Sequence, residues 1–151
     1  FNLRGMSMKQ TDIHKSIQEM QIEDYYEVYE LWKNTPGMGL SDADTHENIH
    51  KFLLRNKGLS FVCRYKDRII GTILCGHDGR RGYIYHVIVV EEYRGRGIGQ
   101  TLVDKSLYKL KEQGINKCHL FVFCDNVIGN AFWSAIDWTR REDIVVYSKS
   151  V

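Results

Sequence analysis

Val87-Ile88-Val89-Val90-Glu91-Glu92-Tyr93-Arg94-Gly95-Arg96-Gly97-Ile98-Gly99-Gln100 is the stretch on which the fold turns. Its four β-branched residues predict a buried strand. A short Gly/Arg loop follows and opens directly into a helix. A helix start leaves several backbone N–H groups unpaired, and its dipole favours negative charge. Glycines let an anion approach the backbone, and two arginines add charge-assisted contacts. Pyrophosphate is the natural guest of such a junction. The plain alternative is a tight turn with solvated arginines. Two standard nucleotide loops fail on named residues. A Walker loop needs Gly-Lys-Ser/Thr where Ile98-Gly99-Gln100 stands. A dinucleotide fingerprint needs Gly at position 100, which is Gln, and it opens a βαβ unit rather than following a third strand.

Ile98 to Gln113 is amphipathic, with Ile98, Leu102, Val103, Leu107 and Leu110 on one half of the wheel. Gly114 ends it. Downstream lie a buried strand from Lys117 to Phe123, a helix capped by Asp125 or Asn126 and running to Ile136, and a last strand from Asp143 to Ser148. Upstream, the period is two from Leu59 to Tyr65, from Arg68 to Gly76 and from Tyr83 to Val90. Before these come a strand from Lys15 to Met20, a helix from Asp24 to Asn34, and a helix starting at Asp44, where Glu47 completes a capping box. The order β-α-α-β-β-β-α-β-α-β predicts one α/β domain with a mixed central sheet, over residues 8–151. Residues 1–7 are read as an appended or disordered lead and left out of the fold.

The chain has 151 residues and 17.7 kDa, one domain's worth. Apolar residues make up 43% and charged ones 26%, which excludes disorder and collagen. A net charge of +2 gives no field toward nucleic acid, and Arg80-Arg81 and Arg94/Arg96 lack interleaved aromatics. No apolar run reaches the roughly 20 residues of a membrane span. Cys63, Cys75, Cys118 and Cys124 form no CxxC pair, so they read as thiols in a reducing, cytoplasmic compartment. Cys124 has no base beside it in sequence and reads as a small buried residue at a strand end.

Arg94-Gly95-Arg96-Gly97-Ile98-Gly99 resembles the R/Q-x-x-G-x-G/A motif of the GNAT superfamily of N-acetyltransferases, and the element order resembles that fold along nearly the whole chain. The resemblance implies acetyl-CoA as co-substrate. Its pyrophosphate would lie on Arg94, Gly95, Arg96, Gly97, Ile98 and Gly99, and its pantetheine arm beside the backbone of Val87, Ile88 and Val89. Asn126, Ala131 and Trp133 stand where the family has Asn, Ala and Tyr. Asn126 is thereby expected to bond the pantetheine arm, and Trp133 to border the cofactor. Two positions depart from the pattern. Asp137 replaces a common Gly, implying a looser turn. Trp133 replaces the Tyr that serves as general acid, a role indole cannot fill. Dimers are common in the family, so a homodimer is an open expectation. The acceptor is an amine, on a small molecule or a peptide, of unknown identity.

Energetics rank the catalytic needs. A thiol of pKa near 8.5 lies about 1.5 units above pH 7, roughly 2 kcal/mol. A lysine-like amine of pKa about 10.4 is neutral about once in 2,500 molecules at pH 7, a handicap of roughly 4.6 kcal/mol. A base for the nucleophile therefore matters more than an acid for the thiolate. Tyr85, His86 and Glu92 are the candidate bases, with Tyr83 and Asp78 behind them. Strict alternation puts Tyr85 and His86 on opposite faces, so that only one can face substrate. Each also has a plain reading, as packed aromatic, core histidine or solvated carboxylate. An acetyl-CoA-binding module without turnover is the competing function.

His46-Glu47-Asn48-Ile49-His50 is a literal H-E-x-x-H, the zinc-hydrolase pattern. Nothing in the sequence nominates a third ligand, and both histidines fall on the flank of the helix's apolar face. No metal site is expected.

Overall fold

The computed structural model describes residues 9–151, so the expectations for residues 1–7 and for a domain start at residue 8 lie outside the described residues. The chain divides into two compact units, one ending at Phe121 and one running from Val122 to Val151.

The first unit is built on a five-stranded sheet in the order β1-β2-β3-β4-β5, formed by Ile17–Glu19, Phe61–Tyr65, Arg68–His77, Gly82–Val89 and Cys118–Leu120. Neighbours are antiparallel except β4 and β5, which are parallel. The α/β class and the mixed sheet are therefore as the sequence predicts. Lys66 and Asp67 both take positive φ, the tight two-residue turn that joins β2 to β3.

Helices cover the sheet. Helix α4 (Ile98–Glu112) packs on β2, β3 and β4. It comes so close to β3 that a Cβ on Gly71 would lie 3.1 Å from Leu102 Cδ1 and 3.2 Å from Ile98 Cγ2. Helices α2 (Tyr25–Lys33) and α3 (His46–Arg55) build a second core with the sheet, in which Val28, Trp32 and Ile49 pack with Val62, Leu74 and Ile88. Side chains so deeply buried contribute about 1.5–3 kcal/mol each.

Three expectations are corrected. The first strand begins at Ile17, not Lys15, because Gln10–Ser16 form a helix, α1, that buries Ile13. Helix α3 is capped by Thr45, whose hydroxyl accepts the Asn48 N–H, whereas Asp44 closes a separate 3-10 turn at Asp42–Asp44. Glu47 pairs with Lys51 instead of completing a capping box.

The second unit contains α5 (Val127–Ala135), capped by Asn126, whose side-chain oxygen accepts the Gly129 N–H. Asp143–Ser148 form no strand, against expectation. Ile144, Val145, Val146 and Tyr147 are exposed. A strand needs a hydrogen-bonding partner, and the unit that holds this segment contains no strand to supply one.

Candidate active site

The site begins where β4 leaves β5. Their pairing runs from Gly82 opposite Cys118 to Ile84 opposite Leu120 and ends there. Strand β4 continues to Val89 with β3 on one side and, among the described residues, no strand on the other. Its edge from Tyr85 to Val89 thus offers backbone groups to an added strand-like ligand.

That edge leads into the glycine loop. A 3-10 turn at Glu91–Tyr93 follows, and the Arg94 N–H donates to the Glu91 carbonyl. The next backbone donor is Thr101 N–H, to Gly97. None of the amides from residue 95 to residue 100 reaches a backbone carbonyl among the described residues. Gly95 (φ 77°) and Gly97 (φ 82°) both sit in the left-handed region, a conformation in which successive amides can converge on an anion, at the head of α4. Among the described residues, a Cβ on Gly95 would meet nothing within 4 Å and one on Gly97 only Gln10 Oε1 at 3.7 Å. Amides without backbone partners among the described residues, at a helix N-terminus and beside glycines, make a cradle that fits a pyrophosphate.

Both arginines are already engaged. Arg94 Nε donates to the Val89 carbonyl at 3.0 Å, and Arg96 lies over the Tyr93 ring at 5.2 Å, donating to the Glu92 carbonyl at 3.4 Å. The Val89 carbonyl is therefore taken, leaving Val87 and Ile88 as the readier partners for a ligand arm.

Residues 25–137 match the family model of the acetyltransferase (GNAT) family. The chain belongs to the GNAT acetyltransferase family. It is 31% identical over 132 residues to an acetyltransferase of Photorhabdus laumondii, covering 84% of this chain and 89% of that one. It is 28% identical to an acetyltransferase of Sodalis glossinidius over the same shares. Among solved structures, the fold is similar to the aminoglycoside 6'-N-acetyltransferase of Acinetobacter haemolyticus, with TM-score 0.73, 17% identity, and 89% and 98% of the two chains covered. It is also similar to the PaiA N-acetyltransferase of Thermoplasma acidophilum, solved in complex with coenzyme A, with TM-score 0.67, 22% identity and 80% and 86% coverage. As a GNAT acetyltransferase, the chain uses acetyl-CoA as its co-substrate.

The candidate bases of this GNAT chain fare differently. Pairing places Thr72 opposite Ile88 and Leu74 opposite Tyr85, so that His86 and Val87 together face one residue of β3. This is a β-bulge, and His86 carries a left-handed φ of 51°. The bulge breaks alternation. Tyr85 meets Phe52 of α3 edge to face at 6.1 Å, and His86 meets Trp32 of α2 at 4.8 Å, so both turn toward the α2/α3 layer instead of opposite faces. Burial pushes the Tyr85 phenol above its usual pKa, with smaller contributions from Tyr83 and the thiols of Cys118 and Cys75.

Glu92 sits on the 3-10 turn, largely exposed, 3.8 Å from Arg68. Asp78 closes the β3–β4 turn. Its Oδ1 accepts the Arg80 and Arg81 amides, which hold its carboxyl below the usual range. Tyr83 stacks on Phe121. In the H-E-x-x-H segment, His46 stacks on Tyr26 at 5.5 Å and Glu47 points to Lys51. No cluster of three side chains able to hold a metal gathers among the described residues. Asn126 caps α5 with its oxygen, and Trp133 packs edge-on against Phe132 and Trp138, each at 4.9 Å.

The partner that sequence reasoning missed is Asp44. Its Oδ1 lies 2.7 Å from His86 Nε2, across 42 residues of chain. No sequence signal marks the pair. Asp44 looks like one more helix cap.

Proposed function

We propose that the chain is one cytoplasmic N-acetyltransferase domain that moves an acetyl group from acetyl-CoA to an amine by direct attack within a ternary complex. The observation that carries this is the continuous path from the edge of β4 beyond Ile84 to the amides at residues 95–100, neither of which finds a backbone partner on that side among the described residues. Val87 and Ile88 pair with the pantetheine arm as an added strand. Gly95, Gly97, Ile98 and Gly99 offer amides to the pyrophosphate, with Arg94 and Arg96 close enough to swing onto it.

Backbone N–H groups near the bulge polarise the thioester carbonyl as negative charge develops on its oxygen. The amine nitrogen bonds to that carbon and the C–S bond breaks. Trp133 has no acidic proton to give, so the thiolate takes one from water, at a cost of roughly 2 kcal/mol. Amine acceptors, small or peptidic, fit the reading. Among the described residues no helix is long and apolar enough to cross a membrane.

Thermal melts with acetyl-CoA test the first half. Ligand at 100 times its Kd adds about 2.7 kcal/mol. No stabilisation at millimolar acetyl-CoA sinks the proposal. The second half is tested by incubating amines, peptide N-termini and aminoglycosides with acetyl-CoA and reading mass spectra for one added acetyl group. Acetyl-CoA binding without turnover on any of them would favour the binding-only module that Trp133 suggests.

A further inference from the structure

His86 and Asp44 are each largely buried, with side chains 13% and 8% exposed. The carboxylate can only accept, so the hydrogen bond at 2.7 Å places a ring proton on Nε2, and the neutral form of the ring then carries its lone pair on Nδ1. Asp44 is itself fixed. Its Oδ2 accepts the Ser41 N–H at 3.0 Å, and its main-chain carbonyl accepts the Tyr25 hydroxyl at 2.6 Å. The histidine backbone is fixed as well, because the Thr72 hydroxyl donates to its carbonyl at 3.1 Å. Buried side-chain nitrogens and oxygens all have partners among the described residues. His86 Nδ1 has none, so it lies on the edge of the ring that solvent reaches. An oriented imidazole with its basic nitrogen open, on the bulge beside an edge of β4 that no strand covers among the described residues, has the form of a histidine–carboxylate base.

We propose that His86 is the general base of acetyl transfer and that Asp44 is its positioning residue. This rests on the acetyltransferase reading above. An acceptor ammonium gives a proton to His86 Nδ1, and its nitrogen then bonds to the thioester carbon. As the C–S bond breaks, the nitrogen loses a second proton. The second proton reaches the thiolate through water, and the first passes from His86 to solvent. The Asp44 charge compensates the proton that the ring takes up.

Among the described residues, few groups face the ring. Asp44, from the loop before α3, is the charge in direct contact. Helix α2 presents Trp32, with Tyr25 reaching only the Asp44 main chain. Strand β3 presents the Thr72 hydroxyl. His46 of α3 lies beyond Tyr25, ring to ring at 5.1 Å.

The test has two arms on the full chain. Ethylamine, a minimal lysine-like acceptor, is used with acetyl-CoA and free thiol is measured. His86→Gln is expected to lower kcat at pH 7 by about 100-fold or more and Asp44→Asn by about 10-fold, with KM for acetyl-CoA within about twofold. Both deficits shrink as pH rises toward 10 and the amine deprotonates unaided. A His86→Gln rate near wild type at pH 7, or a deficit that pH does not change, overturns the proposal. The second arm needs no acceptor. Nitrogen-15 spectra of the histidine rings should show His86 with its proton on Nε2, assigned by its loss in His86→Gln, and a mixed tautomer in Asp44→Asn. A proton on Nδ1 in the wild type overturns the pairing. If the wild type acetylates nothing while the spectra are as expected, it is the acetyltransferase reading that fails, and the base assignment falls with it.

Discussion

The indole N–H of Trp32 donates to Thr72 Oγ1 at 3.1 Å, and that hydroxyl donates onward to the carbonyl of His86. Trp32 and Thr72 are both buried. One side chain on β3 therefore joins the α2 core to the bulge in β4. Thr72→Val keeps the shape and strands two polar groups, so it should cost about 2–4 kcal/mol. Thr72→Ser keeps the hydroxyl and should recover most of that loss. Urea melts of the two variants decide it, and equal midpoints would refute the relay.

The loop glycines make a separate prediction. Gly95 and Gly97 hold positive φ, so alanine at either position is strained by about 1–2 kcal/mol. Relief of that strain turns the amides away from the cradle. Gly97→Ala and Gly95→Ala should therefore lose most of the acetyl-CoA thermal shift, beyond their modest fall in Tm without ligand. A full shift in both variants would remove the loop from the cofactor site.

Much of this was legible in the sequence. The strand–loop–helix junction was, because a chain that turns straight from a strand into a helix needs glycines, and Gly95 and Gly97 do take positive φ before α4. The strands around it were, because their period changes to two. Helix α1 was not, since it buries only Ile13 and so leaves no amphipathic stripe. The bulge was not either. Alternation assigns faces by counting, and one extra residue at His86 breaks the count. The Asp44–His86 pair joins positions 42 residues apart, which only the fold brings together. At the other end, Asp143–Ser148 has strand composition but no partner strand in its unit.

Asp137 illustrates a departure that geometry absorbs. It takes φ 67°, its N–H donates to Ser134, and the Trp138 N–H donates to Trp133. That is a Schellman ending for α5, with Asp where Gly is the usual choice. The turn is as tight as a glycine would make it, contrary to the looser turn expected. Asp137→Gly should therefore stabilise by about 0.5–1 kcal/mol. A thermal melt followed by tryptophan fluorescence, with Trp133 and Trp138 flanking the turn, reads this directly. A lower Tm would mean that the carboxylate contributes more than the backbone loses.

The buried thiols give the chain an alkaline limit. Burial pushes Cys75 up to about 12 and Cys63 up to about 11, from an ordinary 9.0. Below pH 9 these thiols are protonated whether the chain is folded or not, and their contribution is fully present. From pH 9 upward the unfolded chain releases these protons and the folded chain holds them. The unfolded state then binds fewer protons, so stability falls with pH until the folded values are passed. Cys63 alone accounts for a loss on the order of 2 kcal/mol. Urea midpoints should hold to about pH 9 and drop through pH 11, and Cys63→Ala should flatten part of that slope. Iodoacetamide at pH 8 gives an independent check, because Cys124 is exposed while Cys63 and Cys75 are sealed. Cys124 should alkylate first in the native protein. Rapid labelling of Cys63 or Cys75 without unfolding would mean that the sheet opens locally and that burial does not set their pKa.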